Sequence, residues 1–499
     1  MHLRLPTLTA LLAVFVALGS AAPAGARTIT VVKRYGPVEM GSFGTERPKV
    51  IVPAPQVNGY ITHMHARLVD GRKRAVTIQQ VMLHHVVFIN RGRFAGDRKA
   101  KCGARFGEPF YGTGEENQSL DLPGGYGYRI RRGDRWKMQT MLMSHQARPQ
   151  RVYVQYRMRV VVGRRLQPVT PYWLRVTPCR NEPSYSVPGG GPPGSVDRRT
   201  STWTVPADGR IVAGGAHLHG GAHDIELTQP RCDNRRLLNS DPSYGGPDFI
   251  SYRVQPLLHE PGPINTGWYE SHTGIPIRRG EKLDVTALYD AQWQHPGVMG
   301  VYHVYVAHGR RPGRTACPDL PADARTSTLA KPGVRADPPH VVVPLTELDA
   351  DGRPVPLGQP RGRSFFFPDG VPEAVTKVGA TFSRPIVSVP PGTKLTWVFA
   401  DRVPHKVSIA NGPRAVGSPT LKGGKRWSWT AGAPGRYQLF CYLHPVTMHQ
   451  QVDVRAPDGS VPTLAPTAPG GDPGLPPAEG SGPGGTATPT SGIEDDEYY

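Results

Sequence analysis

Four residues near the C-terminal end of the chain carry sulfur and imidazole donors in an order that suits a redox metal. Cys441, His444 and Met448 fall on one short loop, and His405 lies upstream on a separate predicted strand. One thiolate, two imidazoles and one thioether form the ligand set of a blue-copper electron-transfer site. The soft sulfur donors favour Cu(I) and imidazole suits both oxidation states, so copper is the cofactor to which this set points. His449 directly follows Met448 and offers an alternative axial donor. A structural cysteine beside a surface histidine is the competing explanation. Four donors in this order within one β-rich segment weigh against it.

Further imidazoles lie upstream. His217 and His219 are two residues apart, so on a strand they share one face and can hold one metal ion. Met299 would add a thioether, giving a copper site with open positions. His84 and His85 are adjacent. Neighbours on a regular strand face opposite ways, so shared ligation requires a bulge or a strand end. His145 follows the methionine-rich run 138–144 and would complete a three-imidazole set with them. Zinc is the competing metal for imidazole sites. There is no His-Glu-x-x-His helix, no Gly-x-Ser-x-Gly elbow and no phosphate-binding glycine loop. His63 and His65 also share a strand face, but no other donor accompanies them, so surface or core roles are expected. His223, His272 and His303 are candidates for orienting the ligands.

The elements that must position these residues read as strands. Runs rich in Val, Tyr, Thr and Ile recur between Gly, Pro and Asp turns, as at 151–162, 282–289, 298–307 and 451–454. Helical periodicity is nearly absent, and the fold class is all-β. At 499 residues the chain exceeds one hydrophobic core. Residues 1–26 read as a secretory signal with a cleavage site near Ala26, residues 27–183 as a first β domain and 184–194 as a linker. A second β domain follows at 195–344, then a connector at 345–372, a small Greek-key sandwich at 373–455 and a disordered tail at 456–499. No stretch of the mature chain is long and apolar enough to span a bilayer, so a secreted or cell-envelope location is expected.

With Cys441 set aside as a ligand, Cys102, Cys179, Cys232 and Cys317 remain as an even set for an oxidising compartment. Four cysteines allow three pairings; Cys102–Cys179 and Cys232–Cys317 keep each pair within one expected domain. The net charge of +20 comes mainly from scattered arginines. No nucleic-acid motif or aromatic-interleaved basic stripe accompanies it, so no nucleic-acid partner is expected.

The segment from Lys394 through the Cys441 loop resembles the cupredoxins, most closely the plastocyanin and amicyanin type. Amicyanin-type loops have two residues between the second histidine and the methionine, and plastocyanin-type loops have four. Here Pro445, Val446 and Thr447 make three, which leaves Met448 and His449 both open as the axial ligand. The order His-His, distant His, His-x-His, distant Met resembles the copper type II, ascorbate-dependent monooxygenases, whose core is two jelly-roll-like domains. That resemblance implies a relay copper on His84, His85 and His145. It further implies an oxygen-activating, catalytic copper on His217, His219 and Met299. Residues 40–310 also resemble the stress up-regulated nodulin family. That likeness is carried by Met82-Leu83-His84-His85-Val86-Val87, Gly215-Ala216-His217-Leu218-His219-Gly220-Gly221, Tyr269-Glu270-Ser271-His272-Thr273-Gly274 and Gly297-Val298-Met299-Gly300-Val301-Tyr302.

The expectation is therefore two jelly-roll-like sandwiches followed by a small cupredoxin sandwich, acting as a secreted copper redox protein. An electron-transfer unit would serve a dicopper, monooxygenase-like core that hydroxylates a small molecule or peptide. The alternative is a non-catalytic extracellular copper binder or electron shuttle, with an unidentified donor or acceptor as its partner. A weaker third option is a glycan- or wall-binding structural protein without metal.

Overall fold

The computed structural model describes residues 25–92, 107–177, 183–246, 249–252, 254, 257–309, 317–327, 334–335, 337–339, 343, 346–349, 351, 353–356 and 358–462. The expected Cys102–Cys179 pair lies outside them, as do residues 1–24 of the expected signal and most of the expected tail. Strands joined by turns account for the fold. Among the described residues the helical element is the single short turn Pro230–Cys232, and no helix is long and apolar enough to cross a membrane.

Alternation along the strands builds the cores. In Gln150–Val162, Val152, Val154, Tyr156, Met158 and Val160 are buried, while Arg151, Arg157 and Arg159 between them are exposed. Arginine is thus placed on the outward half of the strand pattern, where its charge stays hydrated.

A 10-stranded sheet organises the first two thirds of the chain. Its order is Arg27–Met40, Gln150–Val162, Gly59–Val69, Tyr126–Ile130, Gln167–Arg175, Gly300–His308, Gly209–Leu218, Trp268–Ile277 and Arg325–Ser327, with Leu120–Asp121 paired off the path. Gln167–Arg175 pairs antiparallel with Gly300–His308, so one sheet runs through both expected jelly-roll-like regions. Over its first half lies a 5-stranded sheet containing Val81–Asn90 and Trp136–Ser144. Phe88, Phe110, Tyr128, Trp136 and Tyr156 fill the space between. Over its second half lies a 4-stranded sheet of Val196–Thr204, Lys282–Asp290, Ala222–Gln229 and Arg235–Ser240. Leu227, Leu283, Val285, Tyr289 and Val304 form that core. Each such side chain contributes roughly 1.5–3 kcal/mol when fully removed from water.

The C-terminal unit packs a 5-stranded sheet, including Gly435–Cys441 and His444–Val454, against the 3-stranded sheet of Glu373–Val378, Lys394–Phe399 and Lys425–Thr430. Val378, Trp397, Phe399, Leu439 and Val452 are its centre. The Trp397 indole N–H donates to Gln450 Oε1 at 2.8 Å, so the largest of these side chains is buried without an unpaired donor.

This unit is docked on the others. The segment expected as a linker carries the strand Tyr185–Val187, which pairs with His295–Val298. Beyond it, Ala415 N–H donates to Pro188 O at 2.9 Å and the Arg414 guanidinium to Gly189 O. Arg47 donates to Thr420 Oγ1 at 3.2 Å. A separate apolar cluster joins Met82, Met141, Met143 and Leu258 to Val446 of the sulfur loop, with Tyr442 packed against it.

Cys232 and Cys317 form a disulfide across 85 residues of sequence. Closing a loop of that length removes unfolded-state entropy worth about 4–5 kcal/mol in the chain-entropy model. A Cys232→Ser/Cys317→Ser double variant is therefore expected to melt at a visibly lower temperature, measured by calorimetry of full-length protein. An unchanged melting profile would rule out a stabilising role for the crosslink.

Candidate metal centres

Cys441 ends the strand Gly435–Cys441, and His444 opens the next. His405 follows the turn at 401–404 and is held by a two-way backbone bridge to Leu421. Cys441 Sγ lies 3.4 Å from His444 Nδ1 and 3.6 Å from His405 Nδ1, and the two rings are 5.0 Å apart between centroids. His405 Nε2 faces the Asp401 carboxylate at 3.1 and 3.2 Å. Nε2–H donates to that carboxylate, which leaves the Nδ1 lone pair aimed at the sulfur. Burial pushes the Cys441 thiol up, while the backbone N–H groups of Lys406, Leu443 and His444 favour its thiolate.

The choice between Met448 and His449 follows from strand parity. His449 pairs with Phe440, so Met448 falls on the face that Cys441 occupies. Met448 is buried in the same core cluster as Cys441. His449 turns away, its Nε2–H donating to Pro445 O at 2.8 Å. Met448 is the residue placed to serve as an axial donor.

The upstream histidines converge on a second centre. The strand Val81–Asn90 shifts register against Trp136–Ser144 between Leu83 and His85, which is the irregularity that adjacent histidines need to act together. His84 Nδ1 and His85 Nδ1 are 3.1 Å apart. His217 lies near the end of Gly209–Leu218 and His219 just beyond it, with rings 5.1 Å apart. The two sets are not separate. The His84 ring is 5.2 Å from that of His219, and the His85 ring is 6.3 Å from that of His217. His259 joins them, its ring 4.4 Å from His84. One ring nitrogen from each of His84, His219 and His259 lies within 4.8 Å of the others, as do the donor atoms of His405, Cys441 and His444.

Met299 lines the cavity of about 220 Å³ that His84, His85, His219 and His259 also line. His145 is buried beside the cluster rather than in its closest group; its Nδ1–H donates to Ile78 O at 2.8 Å. His63 is paired with Asp121 at 2.6 Å and His65 with Asn117 at 2.9 Å, and neither reaches the cluster. His272 bonds Gly124 O at 2.9 Å on the exposed side, whereas His303 is buried against Trp173.

Charge and hydrogen bonding suit a cation. Burial, reinforced by neighbouring histidines, holds His84 and His219 well below the ordinary imidazole range. Burial pushes His85 and His259 down to about 3 and His145 to about 4. These rings are neutral near pH 7, the state in which imidazole binds metal. His217 Nε2, His219 Nε2 and His259 Nδ1 are buried without a hydrogen-bond partner. Two carboxylates stand behind the rings: Glu116 at 3.1 Å from His217 and Glu115 at 3.5 Å from His259. The donor set and the orphaned nitrogens fit a metal ion.

Spacing could not have revealed His259, Glu115, Glu116 or Tyr442. His259 stands alone in an irregular segment, and the two glutamates follow a strand with no periodic partner. The Tyr442 hydroxyl lies 3.2 Å from His84 Nε2, which joins the two centres; the signal was its place next to Cys441.

The model of the family described as stress up-regulated Nod 19 matches residues 145–309 of the chain. That span holds His145, His217, His219, His259 and Met299. Amicyanin-alpha of Methylorubrum extorquens is 33% identical over 67 residues, 13% of this chain and 56% of that protein. The chain thus spans little more than half the length of that relative. An oxidised amicyanin variant of solved structure is 26% identical over 17% of this chain and 84% of its own, with a TM-score of 0.16. A reduced amicyanin variant is 27% identical over 18% and 86%, also with a TM-score of 0.16.

Burial alone would lower His217, but the charge and hydrogen bond of Glu116 outweigh it and raise it above 6.5. In metal-free protein this pair contributes stability that is present below pH 6.5 and lost as pH rises through the raised value. Glu116→Gln is expected to drop the His217 titration below 6.5, read by NMR on metal-free protein. A midpoint that stays raised would mean that Glu116 is not the cause.

Proposed function

We propose that the chain is an exported copper redox protein in which a C-terminal electron-carrier unit serves a histidine-lined, monooxygenase-like centre. The observation that carries this reading is convergence: Phe440 and Tyr442 of the sulfur loop line the same cavity as His84, His85, His219 and Met299. The convergence of one thiolate and two imidazoles, with a buried thioether on the same face, supports copper at the Cys441 site. His405, Cys441, His444 and Met448 would hold that ion. His84, His85, His217, His219 and His259, with Met299 and His145 beside them, would hold the rest. Copper at such sites supplies one-electron redox chemistry.

The chain's own residues set the conditions. Asp401 fixes the tautomer of His405 and keeps its ring from turning. Burial of the imidazoles keeps them unprotonated and limits water at the centre. Glu116 accepts from His217 Nδ1 at 3.1 Å, which orients that ring and leaves Nε2 as its ligand atom. A cavity of about 220 Å³ admits a small molecule or the end of a longer one. Arg47, Lys49 and Lys406 line the same cavity and favour an anionic group at its mouth.

A second reading, a copper-binding shuttle without turnover, is favoured by one fact. His84, His219 and His259 are each no more than 8% exposed, which restricts a substrate's approach. Oxygen uptake separates the two. Copper-loaded protein supplied with ascorbate is expected to consume oxygen. His219→Ala should cut the rate by more than the roughly 10–100-fold typical of losing an outer partner of a metal ligand. Loaded protein that keeps its thiolate–copper absorption but consumes no oxygen would establish the shuttle instead.

A further inference from the structure

The geometry points to a single metal site formed by His84, His219 and His259, coupled to the Cys441 site through Tyr442. It rests on the copper reading above for the identity of the metal, and departs from it in which residues hold the ion.

The three rings come from three separate segments: the strand Val81–Asn90, the residue after Gly209–Leu218, and the irregular stretch around 259. All three are buried, with one ligand atom each inside a 4.8 Å group. His217 lies outside that group, and so does His85, whose Nδ1 is 3.1 Å from His84 Nδ1 but which does not complete a mutual set with His219 and His259. His219 Nε2 is buried without a hydrogen-bond partner, an unmet demand that an ion bound among the three rings would satisfy. A divalent cation with a preference for imidazole meets that need, and Glu115, 3.5 Å from His259 Nδ1, stands behind that ring and orients it.

Tyr442 makes the connection. It follows Cys441 by one peptide bond, and its hydroxyl shares a 3.2 Å hydrogen bond with His84 Nε2. Its backbone N–H donates to Lys406 O at 2.8 Å, which ties it to the residue after His405. A continuous path therefore runs from a sulfur ligand of one centre, through one residue and one hydrogen bond, to an imidazole of the other. The Lys406 ammonium lies 5.1 Å and the Arg47 guanidinium 6.0 Å from the ring centroid. Two cations against the ring oppose removal of an electron from it, so Tyr442 acts as a bridge and not as a stopping point. The step is a one-electron exchange. With copper held at both sites, one electron would pass from the ion on Cys441 to the ion on the three imidazoles, oxidising the first to Cu(II) and reducing the second to Cu(I), while the phenol keeps its proton.

The test uses full-length protein loaded with Cu2+. Copper per chain, the electron paramagnetic resonance spectrum and the melting temperature are measured for wild type, His259→Ala, His259→Gln and Tyr442→Phe. The Cys441 centre is then reduced by a pulse of a one-electron radical donor, and the return of its thiolate–copper absorption is timed. Both His259 variants are expected to lose the non-blue copper and keep the blue one. Two variants guard against one that fails to fold. Tyr442→Phe is expected to keep both coppers, both spectra and its melting temperature, while the absorption returns roughly tenfold more slowly or worse. Non-blue copper retained in a folded His259 variant overturns the site, and wild-type transfer in Tyr442→Phe overturns the bridge. A wild type holding only blue copper also overturns the site but leaves the electron carrier standing. A wild type that takes no copper overturns the reading on which both rest.

Discussion

A nitrogen lone pair in a protein interior needs a proton, a hydrogen-bond donor or a cation. The histidine cluster is built so that the first two are scarce. Several imidazoles packed ring against ring cannot all be protonated, since each added charge repels the others in a poorly hydrated space. Protein donors are missing at His217 Nε2 and His219 Nε2. The rest of the architecture accommodates this demand. The strand Val81–Asn90 breaks register to bring two adjacent histidines to one place, and the shared 10-stranded sheet brings His217 up to His85 from the other half of the chain. An arrangement so costly in the absence of a bound cation is a strong physical reason to expect one.

The Cys441 centre meets the same demand differently. Its sulfur has three backbone N–H groups nearby, and one of its two histidines has its second nitrogen taken up by Asp401. Orientation is fixed before any ion arrives, as low-reorganisation electron transfer requires. On the function proposed above, the two centres divide the work along physical lines. One is a closed, pre-set site in a small sandwich, and the other is a crowded site beside a cavity. The contacts from Arg47 to Thr420, from Ala415 to Pro188 and through Val446 to Leu258 keep the sandwich seated against that cavity.

The sequence made the strands legible because each core-facing position alternates with a polar one, as in Gln150–Val162. Cys441, His444 and Met448 were legible as candidate ligands because they sit within one loop, where spacing alone constrains geometry, and His405 was added to them by residue type. It also showed that His84 and His85 need a bulge to act together, and the register shift is there. What it could not show was that His84 and His219 belong together. Their proximity depends on Gln167–Arg175 pairing with Gly300–His308, a long-range registration with no local signal. His259 was hidden for a related reason. It lies in an irregular stretch that tertiary packing alone positions, so neither a period of two nor a neighbouring donor marks it. The two copper sets inferred by resemblance were drawn as separate, and in the fold their members interleave.

Side-chain alternation explains why the residue after the sulfur ligand is the one that reaches the other centre. On a strand, consecutive side chains point to opposite faces. Cys441 ends its strand pointing into the sandwich core, and Tyr442, the first residue of the turn, carries its hydroxyl out to His84. At the other edge of the site His405 faces the sulfur, while the next residue, Lys406, lies over the Tyr442 ring. Any surface docked on this end of the sandwich will meet residues that are covalently next to the ligands. The surface docked there presents His84, whose Nε2 meets the hydroxyl. Phenylalanine at 442 would pack equally well against Met82 and Leu258 in the apolar cluster; the hydroxyl is needed only for His84. The short path between the centres is thus a geometric consequence of burying a ligand on a strand end and docking that end on the histidine cavity.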